Sequence, residues 1–167
     1  MIEIIKKSEK FLKLNLKKLS LLYRKWYYLH SKYVARASLD INPKIDRNII
    51  SIAGWFHDIA KIKSDREHAK RSAKIAEKFL KGKIENIKLK IILDCIENHG
   101  TKDKPKTKEG KIFQSADKLA IFYPELRKFI KKNLGDKKLK EMLKEHYSKI
   151  KLKKAKIIAR RLLNDNK

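Results

Sequence analysis

Apolar positions recur at three- and four-residue intervals along nearly the whole chain, the period of helices with one buried face. Over residues 10–37 the stripe is Leu12, Leu16, Leu19, Tyr23, Trp26, Tyr33 and Ala37, which predicts one long helix. Asn42-Pro43 breaks it. Asp46 is placed to cap a second helix carrying Ile49, Ile52, Ala53, Phe56 and Ala60. A polar turn at Ser64 and Asp65 leads to a helix from about Glu67 to Leu80, stopped by Gly82. Another runs from about Ile84 to Asn98 and ends at Gly100. Residues 101–110, TKDKPKTKEG, form the one clear loop, and further helices are expected over 111–122, 124–133, 136–149 and 151–163. Pro124 suits a first helical turn and Gly135 a break. With neither strand alternation nor an internal repeat, the 167 residues read as one all-α domain with short connections.

Composition narrows this picture. Hydrophobic residues make up 42%, too many for a disordered chain despite a formal charge of +26. Single Cys95 excludes a disulfide framework and a Cys-based zinc ribbon. No apolar run reaches the roughly 18 residues of a membrane helix, and the N-terminus lacks a signal-peptide core. The expectation is a cytoplasmic protein with no membrane partner. Only 8 of the 45 cations are Arg. Phosphate and base recognition favours the bidentate Arg fork, so a lysine excess implies polyanion adhesion more than a dedicated nucleic-acid site.

The histidines carry more information than the charge. There are five, and His57 directly precedes Asp58. That dipeptide means little alone, since chance supplies about 0.3 such pairs in a chain of this composition. Position within helices matters more. His30 follows the stripe of Tyr23 and Trp26, and His57 that of Ala53 and Phe56. His68 leads Ser72, Ile75 and Phe79; His99 ends Leu89, Ile92 and Ile96; Asp117 lies with Phe113 and Ala120. A single buried histidine is ordinary packing. Four inward histidines with Asp58 and Asp117 are more economically satisfied by a metal.

The same residues, in the same order, resemble the HD-domain superfamily of metal-dependent phosphohydrolases. HSKYVARAS around His30 looks like the family's first helix, and IAGWFHDIAKI like its His-Asp helix, with Ala60 where many members carry Gly. HAKRSAKIAEKFL, IENHG and FQSADKLAIF follow as the third, fourth and final segments. The resemblance spans residues 29–122, with helices over 124–163 expected to pack on that core. It implies that His30, His57, Asp58 and Asp117 hold one divalent transition metal (Mn, Fe, Ni, Co or Zn, with Mg a further candidate). His68 and His99 match the ligands of members that bind a second ion, with Asp58 as the bridge. Where some members have a His-His pair, this chain has Asn98 before His99, so the alternative is that His68 and His99 touch substrate phosphate. Metal-activated water attacking phosphorus is the implied chemistry, with Asp58 catalytic. Lys61, matching members that read HD-x-x-K, would bind a phosphate oxygen or stabilise developing charge, and Arg66 and Arg71 would add phosphate contacts.

The implied substrate is a phosphorylated small molecule, a nucleotide being one candidate. Two rivals remain at this level. A nuclease of the same superfamily would use the basic tail and the Lys-rich loop to bind a nucleic-acid strand, and a di-iron oxygenase would use the same six ligands. Cys95 reads as a small buried hydrophobe, Trp26 as core packing, and Tyr27 or Tyr28 as a candidate base-stacking group. His146 reads as a packing histidine. Nothing in the pattern discloses oligomeric state.

Overall fold

The computed structural model describes residues 1–165 and is all-α, with no strand among them. The helices are α1 (Ile2–Leu16), α2 (Leu21–Ile41), α3 (Arg47–Phe56), α4 (His68–Leu80), α5 (Asn86–Glu97), α6 (Lys108–Leu119), α7 (Pro124–Lys149) and α8 (Lys153–Asn164). Short 3-10 turns at Ile59–Ile62 and Ala120–Phe122 follow α3 and α6.

Helix α3 is the centre. Ile49, Ile50, Ile52, Ala53, Gly54 and Phe56 are all buried, so apolar surface faces inward on most sides of this ten-residue helix. It is started as expected by Asp46, whose carboxylate accepts from the Asn48 (2.8 Å) and Ile49 (3.4 Å) amides. Such a cap contributes about 1 kcal/mol. Helices α1, α2 and α5 pack on α3, while α6 closes the core against α2 and α5. Helices α2 and α3 approach closely at Gly54. A Cβ at Gly54 would lie 3.0 Å from the Ser31 carbonyl oxygen, so any larger residue would push the two helices apart by a few tenths of an ångström.

Two expected helices are cut short. The helix expected over residues 10–37 is interrupted after Leu16 although no Gly or Pro stands there. The reason is Arg24, whose guanidinium donates to the carbonyl oxygens of Lys17 and Leu19 and so satisfies the freed end of α1. The reversal lets α1 pack on α3, and it leaves Tyr23 58% exposed rather than on the buried stripe. The second expected helix ends at Phe56, short of Ala60. In a continuing helix the Ala60 amide would bind the Phe56 carbonyl; instead it donates to Ser72 Oγ of α4 (3.1 Å). Asp58 is left at the break, with φ −109 and ψ 9.

The loop at residues 101–110 is shorter and tighter than its composition implies. Thr107 caps α6, accepting from the Gly110 amide at 2.9 Å. The Asp94 carboxylate accepts from the Lys106 and Thr107 amides, and Gln114 donates to the Gly100 and Asp103 carbonyls. Gly135 interrupts α7 as the pattern predicts, with φ 83. Among the described residues no helix is long and apolar enough to cross a membrane.

Candidate metal centre

All six residues singled out from the sequence meet at one place. His30 comes from α2, His57 from the end of α3, Asp58 from the break after it, His68 from the first turn of α4, His99 from just beyond α5, and Asp117 from α6. His57 is fully buried, and His30, Asp58, His99 and Asp117 are buried too; His68 is the partly exposed one. The start of α4 is set by Glu67, a non-glycine residue in the left-handed region (φ 48), a conformation that costs about 1 kcal/mol and turns the chain into His68.

Asp58 lies between two pairs of imidazoles. Its Oδ2 is 3.7 Å from His57 Nε2 and 3.9 Å from His30 Nε2. Its Oδ1 is 3.3 Å from His68 Nε2 and 3.5 Å from His99 Nε2. Asp117 Oδ1 completes the first group, 3.0 Å from His30 Nε2 and 3.6 Å from His57 Nε2. Ligand atoms about 2.1 Å from a shared ion stand roughly 3.0–3.4 Å apart at octahedral or tetrahedral angles, so these separations are near those of a metal shell. Two triads, His30–His57–Asp58 and Asp58–His68–His99, each keep their ligand atoms within 4.8 Å of one another.

The hydrogen bonds prepare the nitrogens for a cation. Nδ1 of His57 donates to the Gly54 carbonyl oxygen (2.9 Å), that of His68 to Asp65 (3.0 Å) and that of His99 to Ile96 (2.6 Å). A carbonyl only accepts, so Nδ1 carries the proton and the neutral ring presents the Nε2 lone pair. His68 Nε2 and His99 Nε2 are then two lone pairs facing each other at 3.2 Å, an arrangement that needs a proton or a metal between them. His57 Nε2 and Asp58 Oδ1 are buried without a hydrogen-bond partner. Buried polar atoms are rarely left so, and the donor set of imidazoles and carboxylates fits a divalent transition metal. Ring contacts fix the planes: Trp26 stacks on His30 at 5.7 Å, and Phe113 meets His57 edge-on at 5.6 Å.

The electrostatics favour ionised carboxylates. Burial opposes the charge of Asp58, yet His57, His68 and His99 hold its carboxyl well below the usual range. Asp117 is likewise held low against burial by Lys118, His30 and His57. Burial also opposes protonation of His57, but Asp58 and Asp117 outweigh it and raise the imidazole pKa.

The profile of the HD domain family matches residues 27–121, more than half of the chain. The chain belongs to the HD domain family. Members of that family are in general metal-dependent phosphohydrolases, and the all-α fold and the His/Asp cluster agree with membership. No curated protein and no solved structure gives a match.

The cationic residues divide. Lys61, on the 3-10 turn after Asp58, is half-buried; burial opposes its charge, but Asp58, Asp65 and Asp117 hold its pKa above the ordinary lysine value. Arg66 is exposed, and Arg71 donates to the Ser64 carbonyl while lining a separate cavity. Lys118, which had no distinguishing signal beyond adjacency to Asp117, pairs with Asp117 Oδ2 and is partly buried beside it. His146 of α7 stands behind that pair, where burial drives its pKa down to about 4 and keeps it neutral at pH 7. Tyr27 feels the Asp58 and Asp65 charges, which with burial push its phenol up to about 12. Tyr28 faces elsewhere, donating to Glu9 and stacking on Trp55.

Proposed function

We propose that this HD-domain protein hydrolyses a phosphate ester of a small molecule, with a nucleotide as the leading substrate class. The observation that carries the reading is the placement of Asp58, whose two oxygens address separate imidazole pairs. It supports two ions, His30, His57, Asp58 and Asp117 holding the first, and Asp58, His68 and His99 the second. Divalent ions bound there supply Lewis-acid activation of water at neutral pH.

The chain's own residues do the rest. Lys61 is cationic and reachable at the edge of the cluster, placed to take a phosphate oxygen and to offset charge developing on it. Lys118 keeps Asp117 ionised, so that its Oδ1 stays available to the imidazole side. The carbonyl bonds from Gly54, Asp65 and Ile96 hold three imidazoles in one tautomer through turnover. His57, with no exposed surface, closes the inner side of the centre to bulk water.

The test is metal analysis of the purified protein, then phosphate release from a panel of nucleotides and sugar phosphates with Mn²⁺, Ni²⁺, Co²⁺ and Mg²⁺. Metal content and phosphate release should both vanish in Asp58→Asn. Labelled single-stranded RNA and DNA, and oxygen uptake by the iron-loaded protein, form the other arms. Strand cleavage or oxygen consumption lost in the same variant, without phosphate-ester turnover, would replace this reading.

A further inference from the structure

A sizeable cavity lies apart from the candidate metal centre. It has a volume of about 970 Å³ and lies between α1, α4 and the 3-10 turn that follows Asp58, and none of the six clustered His and Asp residues lines it. One wall, from Phe11 to Leu19, lies outside the span matched by the HD family.

Its lining has two parts. The floor is apolar: Phe11, Leu19, Ile59, Ile62, Ile75 and Phe79, with the Phe11 and Phe79 rings 4.9 Å apart. The rim is wholly cationic: Lys18, Lys63, Arg71, Lys74, Lys78 and Lys83, with no Asp or Glu in the lining. Elsewhere on the surface many lysines find a carboxylate one turn away, as Lys7 finds Glu3 and Lys149 finds Glu145. Among the described residues none of the six rim cations has such a partner. Lys83 is held over the Phe79 ring at 4.4 Å, and Arg71 Nε is buried without an acceptor.

We infer that this cavity binds an anionic amphiphile, an aliphatic chain ending in a carboxylate or phosphate. The volume lies within the roughly 300–1,000 Å³ usual for small-molecule sites. An apolar body fits because the lining offers one neutral polar side chain, Asn15, whose amide already donates to the Phe11 carbonyl. A nucleobase would leave its hydrogen-bonding edges unmatched there. The head group must be an anion, since six like charges around an apolar floor repel one another and a negative group relieves them.

The experiment is calorimetric titration of the full-length protein, in EDTA so that no head group can bind metal. Decanoate and decyl phosphate are the probes, and decanol and inorganic phosphate the half-ligands. Both amphiphiles should bind, and both half-ligands should bind at least about tenfold more weakly. Lys74→Glu/Lys78→Glu changes two exposed rim residues and should weaken amphiphile binding by about tenfold or more. The same charge change at exposed Lys137 and Lys140 on α7 should leave it intact. Absence of binding up to about 1 mM, equal binding of phosphate alone, or equal effects of the two double variants would overturn the assignment. So would recovery of the protein on phosphatidylglycerol vesicles without decanoate binding, which would make the face a membrane contact.

Discussion

Replacing Gly54 by Ala isolates the contact that spaces two of the histidines. The new Cβ would stand 3.0 Å from the Ser31 carbonyl oxygen and 3.4 Å from Ala35 Cβ. The nearer atom is backbone, so relief requires α2 to move off α3 by about 0.4 Å rather than a side chain to rotate. Overpacking of this kind costs about 1–3 kcal/mol, and the better helix propensity of Ala returns about 1 kcal/mol. A net loss of up to about 2 kcal/mol corresponds to a fall in Tm of up to about 8 °C for a chain of this size. Ser31 adjoins His30, and Gly54 O accepts from His57 Nδ1, so the same movement separates the two imidazoles. Disturbing an outer contact of this kind typically costs about 10–100-fold in metal affinity, and that loss is expected here. Circular-dichroism melts with a competitive Mn²⁺ titration measure both quantities. A variant with wild-type Tm and wild-type affinity would refute the reasoning. A lowered Tm with unchanged affinity would show that the contact packs the helices without setting the imidazoles.

Metal stoichiometry by mass spectrometry should read two ions in the wild type, one in His68→Ala and none in Asp58→Asn, because Asp58 serves both groups. Lys118→Met should lower metal affinity about tenfold and depress Tm mainly in EDTA, where Asp117 is left without its cation. Asp94→Asn should cost about 2 kcal/mol and open residues 101–107 to proteolysis, since the carboxylate holds the Lys106 and Thr107 amides and Asn98 at once. The pH dependence of the metal-free protein follows from His57 and His68, whose folded pKa values are raised above 6.5, His57 by Asp58 and Asp117 against burial and His68 chiefly by the Asp58 carboxylate 3.3 Å from its Nε2. Their contribution is full below pH 6.5 and is lost as pH rises through the folded values, while His146, lowered to about 4, opposes them only below pH 6.5. Melts in EDTA should therefore weaken above pH 6.5, and the stabilisation added by metal should grow over the same range; a metal increment independent of pH would contradict this.

The His/Asp cluster was legible because its signal is periodic. His30, His57, His99 and Asp117 sit where apolar neighbours one turn away already mark the buried face, and a buried imidazole or carboxylate requires a partner. The central helix was equally plain, since Ile49 to Phe56 is apolar and Asp46 precedes it. What stayed hidden depends on contacts distant in sequence. Arg24 ends α1 by reaching back to Lys17 and Leu19, with no breaker residue to announce it. Ser72 ends the His-Asp helix from another element. Lys118 adjoins a ligand, but neighbours in a helix point apart by about 100°, so only the fold shows that its chain turns back to Asp117. Arg71 shows the same limit: one turn beyond His68 in α4, its guanidinium donates to the Ser64 carbonyl and lines the neighbouring cavity, a partner the sequence does not announce.

The excess of lysine acts on a different step from the cluster. Within the centre, Asp58 and Asp117 are balanced by Lys61 and Lys118, so with neutral imidazoles the metal-free site carries no net charge. Whatever positive potential the occupied centre presents to a phosphate comes from its ions, over ligand distances that solvent does not screen. The remaining lysines are mostly exposed, and charges beyond a Debye length of about 8 Å are screened at physiological salt. Their net of +26 can raise the encounter rate with an anion but cannot select the bond that breaks. Added salt should accordingly lower kcat/KM and spare kcat. The same separation explains why a lysine count suggests nucleic acid so readily. It registers attraction common to every phosphate and carries no information that would separate a nucleotide from a strand.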